Sequence, residues 1–303
     1  MALARPNRPI GRYAARLYTR LRYGAAGAHS EEWWPGLSLS KPGRDGAEGM
    51  IRYRGRAVAP LLPYPQPLPD AAEVLVVGSG PSLAAQATDR IPVDRAILLN
   101  GAIHLLRPPL RPFAVVVEDE RFVWRHWRTL ERLVPAETDC YFSTSVIRAL
   151  CQAAPAWLAG QRVRHVDFVH RPYGKARPSR EELRRLPFLR WSDDGEAAIS
   201  LDPRAGMAPA GSVAVTAAQL ALALKPALIG FAGVDLTATQ APRFYETKDD
   251  KAMSRLDVAA ERILAAFALV ERECDAAGVV LENYSPVSLL ARLGIPYRPR
   301  LSR

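Results

Sequence analysis

The sequence predicts an α/β fold with a mostly parallel sheet covered by helices on both faces. Three observations predict it. Short runs of apolar and β-branched residues alternate with longer segments of helical period, the pattern of parallel strands joined by crossovers. A glycine-rich turn, Gly78-Ser79-Gly80-Pro81-Ser82, follows directly on one such run. The chain has 303 residues, 49% of them hydrophobic and 24% charged, enough to bury a sizeable core.

The elements follow in order. Val74 to Val77, Ala96 to Asn100 and Phe113 to Val117 read as buried strands. Phe122 to Leu133 reads as a helix, Cys140 to Ser143 as a strand, and Val146 to Cys151 as a short helix. Val163 to Val169 is a further strand, and Ser179-x-x-Glu182 opens a helix with a capping box. Ser212 opens a helix with Val213, Ala217, Leu220 and Leu224 on one face. Ala227 to Phe231 is the next strand, running into Gly233-Val-Asp-Leu236. Ile263, Phe267, Val270 and Cys274 mark a long helix stopped at Gly278. Val279 to Leu281 and Val287 to Leu293 are the last strand and helix.

Three segments follow from this: a basic amphipathic helix over 1–30, an extended Pro-rich connector over 31–70, and one nucleotide-binding domain over 71–303. The last carries a basic insert at about 161–200.

The net charge of +10 is local. Residues 1–30 carry six arginines and no acid, and residues 161–190 carry nine Lys/Arg against three acids, so each block is +6 and the remainder sums to −2. Ile10, Tyr13, Ala14, Leu17 and Leu21 share one helical face, with Arg12, Arg16 and Arg20 on another stripe. Such a helix suits an anionic membrane surface, here through residues 8–23. Nucleic acid is not expected, because no binding signature accompanies the charge. Three scattered cysteines exclude a disulfide framework and a Cys-based zinc site. No apolar run has the length of a membrane span. The expected location is cytoplasmic, peripheral at the inner face of the membrane.

Chemistry concentrates at the strand ends. Glycines at 78 and 80 let backbone approach a ligand, and the helix expected after Pro81 offers free N–H groups to an anion. The dinucleotide fingerprint is incomplete, because its third glycine position is Leu83 and its ribose-binding acid falls at Asn100. Gly-x-x-x-x-Gly-Lys-Ser/Thr is absent, against a P-loop enzyme. Asp119 ends the third strand, where ligands bind in open α/β sheets. The five histidines show no metal-ligand spacing, and the acid pairs 193–194 and 249–250 read as solvated. Neither metal nor cofactor is expected.

An ordered set of segments carries a resemblance. It comprises Gly78 to Leu83, Leu98-Leu-Asn-Gly101, Phe113-Ala-Val-Val-Val-Glu-Asp119, Gly211 to Leu220, Ile229-Gly-Phe-Ala-Gly-Val-Asp-Leu236, Phe244-Tyr245 and Ser285-Pro-Val-Ser-Leu-Leu290. The set resembles the bacterial sialyltransferases of glycosyltransferase family 42, over about residues 73–293. It is also similar to the motility-accessory-factor and archaeal pterin-diphosphokinase-like proteins.

The resemblance implies a GT-A-like variant of the Rossmann fold. It implies inverting, metal-independent transfer of a nonulosonic sugar (sialic acid, Kdo or similar) from a CMP-activated donor. The acceptor would be a surface-glycan or lipopolysaccharide-core hydroxyl, presented as a glycan or lipid-linked oligosaccharide. By position, Gly78, Ser79, Gly80, Pro81, Ser82, Asn100, Asp119, Gly211, Ser212, Asp235 and Ser285 would line the nucleotide site, and Tyr245 would stabilise the departing phosphate. One departure stands out. The family's catalytic histidine lies beyond the tyrosine loop, and here no histidine follows His170. Glu246, Asp249 and His126 are the candidate bases. Alternatives are an ATP-dependent pterin-diphosphokinase-like enzyme and a non-catalytic glycan-binding scaffold. Homo-oligomerisation is left open.

Overall fold

The computed structural model describes residues 8–43, 46–68, 72–107, 109, 111–237, 242–246 and 256–303. In chain order the elements are α1 (Gly11–Gly27), β1 (Leu37–Ser40), β2 (Gly49–Tyr53), β3 (Arg56–Leu61), β4 (Glu73–Val77), β5 (Ala96–Leu99), β6 (Ala114–Val117), α2 (Glu120–Leu133), β7 (Asp139–Ser143), α3 (Thr144–Ala153), α4 (Pro155–Ala159), β8 (Arg162–Val166), α5 (Arg180–Arg184), β9 (Leu189–Trp191), β10 (Ala198–Ser200), α6 (Val213–Ala223), β11 (Leu228–Ala232), α7 (Leu256–Ala276) and β12 (Val280–Asn283). They form two compact units, residues 1–64 with 117–185 and residues 65–116 with 186–303. Among the described residues no helix is long and apolar enough to cross a membrane.

In the first unit the strand order is β1-β2-β3-β8-β7. The pairs β1/β2 and β2/β3 are antiparallel, whereas β3/β8 and β7/β8 are parallel. This corrects the extended connector expected over 31–70. Alternate residues Leu37 and Leu39, then Ile51, Ala59 and Leu61, are buried, so this stretch supplies core. Leu62 N–H donates to Val163 O at 2.7 Å and continues the pairing beyond β3. The single domain expected over 71–303 is corrected with it. Strands from both sides of position 71 build the first unit, and the basic insert divides, 161–185 to the first unit and 186–200 to the second.

Helix α1 packs through an unusual face. Its buried residues are Arg12, Ala15 and Thr19. The buried Glu120 carboxylate, at the start of α2, receives Arg12 Nε at 3.2 Å and Arg148 Nη2 at 3.0 Å. Arg8 Nε is ion-paired with it at 2.8 Å. Arg12 also donates to Glu31 O. A buried carboxylate is tolerated when cations and donors replace its water, and Glu120 has both. Arg12 is therefore drawn inward, whereas Arg16 and Arg20 of the same stripe stay exposed.

Elsewhere in this unit, His165 sits beside Thr144 Oγ1 at 2.8 Å, and burial lowers its pKa from 6.5 to about 4. Ser179 makes both capping-box bonds with Glu182.

The second unit carries the order β6-β5-β4-β11-β12, parallel throughout. Val74 to Val77, Ala96 to Leu99 and Ala114 to Val117 are all buried, as strands covered on both faces must be. Helix α6 is buried along most of its length and packs against β4, β5 and β11. Its Gln219 side chain holds the preceding loop. Oε1 accepts from Ser200 N–H at 2.7 Å and Ala208 N–H at 3.2 Å, and Nε2 donates to Ala208 O at 2.9 Å. Phe267 of α7 meets Phe231 of β11 edge-on at 5.5 Å. The helices expected after Pro81 and over 287–293 are short 3₁₀ turns, Pro81–Ala85 and Leu289–Leu293. Strands β9 and β10 form a separate antiparallel pair. Cys140, Cys151 and Cys274 are free and buried, and burial pushes each thiol pKa up.

Two outcomes follow. Glu120→Gln leaves Arg12 and Arg148 buried without a countercharge and lowers stability by about 3–5 kcal/mol in denaturant titration. His165 is held neutral, so its contribution is complete above pH 6.5 and is lost as pH falls toward about 4. The loss is about 3 kcal/mol. In NMR the His165 ring titrates near pH 4, and His165→Gln flattens the stability slope over that window.

Candidate active site

The parallel order β5-β4-β11 brings three strand ends together in the second unit. Each continues into a loop that carries candidate residues: 78–82, 100–105 and 233–236.

The first and third loops interlock. Gly80 N–H donates to Gly233 O at 2.8 Å. A Cβ at Gly78 would meet Gly233 O at 2.3 Å, and one at Gly80 would meet the Asp235 carboxylate at 2.4 Å. Both glycines are thus demanded by backbone packing. Asp235 is buried, and its carboxylate accepts from Ser82 N–H at 2.9 Å and Ser82 Oγ at 2.5 Å. Ser82 Oγ also lies 3.1 Å from Ser285 Oγ, which accepts from Gly233 N–H at 2.8 Å. Ser288 Oγ donates to Val234 O at 2.6 Å.

This amends the anion cradle expected after Gly80. The turn that begins at Pro81 is 3₁₀, and its Ser82 N–H is already given to Asp235. Gly78, Gly80, Ser82, Asp235 and Ser285 do come together, but Ser82, Asp235 and Ser285 spend their polar atoms on one another. Ser79 and Pro81 lie between them on the same loop, each half-buried.

The second loop carries Asn100 and His104 and packs against Tyr245. Asn100 opens the 3₁₀ turn Asn100–Leu105 with φ 45°, in the left-handed region. Asparagine tolerates that region better than most residues, and residues held there cluster at functional sites. Its Oδ1 is buried and has no hydrogen-bond partner among the described residues. The Tyr245 ring lies against the neighbouring Gly101, where a Cβ would meet Tyr245 Cε1 at 1.8 Å. Tyr245 stacks on His104, with centroids 4.6 Å apart and planes 8° apart. Arg243 donates to Glu246 Oε1 at 3.1 Å and to the Tyr245 hydroxyl at 3.4 Å. Burial opposes the Arg243 charge, but Tyr245 and Glu246 more than offset it and raise its pKa.

The candidate residues therefore distribute unevenly. Asn100, Tyr245 and Glu246 assemble, joined by His104 and Arg243. Sequence reading did not single out these last two, although His104 lies four residues after Asn100.

Gly211 has φ 101°, and a Cβ there would crowd Ala259 and Arg262 of α7. Ser212 caps α6, its Oγ accepting from Ala214 N–H at 3.2 Å. Asp119 and His126 belong to the first unit. Asp119 caps α2 and binds Arg121 Nε at 2.7 Å, and His126 packs on Phe122 at 4.7 Å. Asp249 and Asp250 lie outside the described residues. No group of three or more His, Cys, Asp or Glu that could hold a metal gathers among the described residues.

No family model matches the chain, and no curated protein matches it. Solved structures do show likeness. The sialyltransferase CstII from Campylobacter jejuni, in complex with the substrate analogue CMP-3FNeuAc, aligns with a TM-score of 0.39 at 15% identity, over 76% of this chain and 87% of that one. An α-2,3-sialyltransferase from Campylobacter jejuni in apo form gives 0.40 at 11% identity, over 80% and 86%. The Maf glycosyltransferase from Magnetospirillum magneticum AMB-1 gives 0.44 at 16%, over 76% of this chain and 34% of that chain. Scores below 0.5 describe a loose likeness, and the functional reading rests on this chain's own residues.

The Asp235 knot has a measurable consequence. Asp235→Ala strands the Ser82 N–H and removes a charged acceptor, lowering stability by about 2–3 kcal/mol in chemical denaturation. Ser82→Ala removes one of those bonds and costs about 1–2 kcal/mol by the same measure.

Proposed function

We propose that the chain is a CMP-sugar-dependent glycosyltransferase that moves a nonulosonic sugar to a glycan hydroxyl. The observation that carries the reading is the cluster at the end of β5. There Asn100 Oδ1, without a partner among the described residues, sits next to Gly101, the residue Tyr245 covers, and Tyr245 stacks on His104. The ordered motifs from Gly78 to Leu290 support it from the sequence side.

In the reaction the bond between the anomeric carbon and the CMP phosphate oxygen breaks, and the phosphate keeps the electron pair. The acceptor oxygen bonds to that carbon and gives its proton to a base. The Tyr245 hydroxyl, polarised by Arg243, donates to the leaving phosphate. Asn100 holds the nucleotide or sugar through its open Oδ1. Asp235 orders the loop from Gly78 to Ser82 and acts as a positioning residue.

As base the reading takes His104, whose ring stacks on Tyr245. The Glu246 carboxylate is occupied by Arg243, accepting from its backbone and side-chain N–H groups. His126 packs on Phe122 within α2. The reading assigns neither metal nor cofactor, the phosphate charge being met by hydrogen-bond donors. The acceptor is a glycan or lipid-linked oligosaccharide.

The test is calorimetric titration with CMP, CDP, UDP, ADP and NAD, followed by turnover of CMP-sialate and CMP-Kdo with chelator present. CMP binds in preference to the others, and Tyr245→Phe lowers kcat about 10–100-fold while CMP affinity changes little. His104→Gln lowers kcat by about 100-fold or more at unchanged CMP affinity. Absence of CMP binding sinks the reading. ATP turnover that requires magnesium supports the diphosphokinase alternative, and CMP binding without turnover supports the scaffold.

A further inference from the structure

Helix α1 is packed inside out. At about 100° per residue, the buried positions 12, 15 and 19 define one face. Ile10, Tyr13, Ala14, Leu17 and Leu21 lie on the opposite face. Ile10 is 86% exposed, Leu17 62% and Leu21 78%. An amphipathic helix ordinarily turns its apolar stripe inward. Here the Glu120 cluster holds the polar side, and the apolar stripe faces out.

Charge surrounds that stripe. Arg16, Arg20 and Arg22 are exposed on its flanks, and residues 8–27 contain no acid. The second basic block adds to it within the same unit. Arg177 N–H donates to Ala26 O at 2.8 Å, and His29 Nε2 lies 3.1 Å from Pro172 O. Exposed Lys175 and Arg177 are thereby fixed at the C-terminal end of α1. Two blocks far apart in sequence form one basic margin around one apolar ridge.

We infer that this face docks on an anionic lipid bilayer, with the leucines entering the headgroup boundary and the arginines meeting lipid phosphates. The charge selects this occupant. A second copy would bring the same cations against each other, whereas an anionic leaflet complements them.

The experiment is flotation of the full chain with phosphatidylcholine vesicles containing about 30 mol% phosphatidylglycerol, against phosphatidylcholine alone. The expected result is flotation with the anionic vesicles, falling at least tenfold without the anionic lipid. Leu17→Glu with Leu21→Glu, and separately Arg16→Glu with Arg20→Glu, each reduce partitioning at least tenfold. Both pairs are exposed, so circular dichroism and unfolding midpoint stay as in the parent chain. Unchanged flotation of either double variant, equal flotation with neutral vesicles, or none with the parent chain would overturn the inference. So would light scattering in which the leucine pair dissociates an oligomer while vesicle binding stays unchanged. That outcome assigns the face to a second copy.

Discussion

The buried carboxylate of Asp235 is the constraint on which the second unit's strand ends depend. It takes the backbone N–H and the hydroxyl of Ser82, and so joins the loop after β4 to the loop after β11. Ser285 extends the tie to the segment after β12 by accepting from Gly233. Three loops from three parallel strands thus share one polar knot in low dielectric, where each bond is strong and each orphaned group costly. Outside the knot, Asn100 Oδ1 has no partner among the described residues, and Tyr245 packs on Gly101 and His104. The loop after β4 is thus ordered by an acid of the same unit.

Much of this fold was legible in the sequence, for a physical reason. Strands buried on both faces read as continuous apolar runs, and β4, β5 and β6 are such runs. Ser179 and Ser212 cap helices where their spacing put them, because a cap is a local interaction. Strands β1 to β3 were hidden. They are four to six residues long and are bracketed by Gly and Pro, and the strand β8 that pairs with β3 is remote in sequence. The division into two units follows from that remote pairing.

The site was legible in its residue types more than in its contacts. Asn100 and Tyr245 were both read as functional, yet nothing local announces that a histidine stacks on that tyrosine. The glycines at 78 and 80 carried the opposite lesson. Their presence suggested room for a ligand, and the space beside them is filled by Gly233 and Asp235. Glycine marks close approach, and the approaching group can be the protein itself. Similarly, the stripe on α1 was readable, but its direction was not. Glu120, 108 residues from Arg12, decides which side turns in.

The grip of Glu120 on α1 has a thermodynamic corollary. A free amphipathic segment is disordered until it meets its surface, and that ordering weakens the encounter. Here the helix is folded beforehand, anchored through Arg12 and braced where Tyr18 stacks on Trp34 at 4.6 Å. Its rotation about its own axis is fixed by the same contacts. Whatever meets the outer face meets a preorganised blade, so little conformational entropy remains to be lost on contact. The contact is therefore spared most of the ordering cost that weakens a free segment.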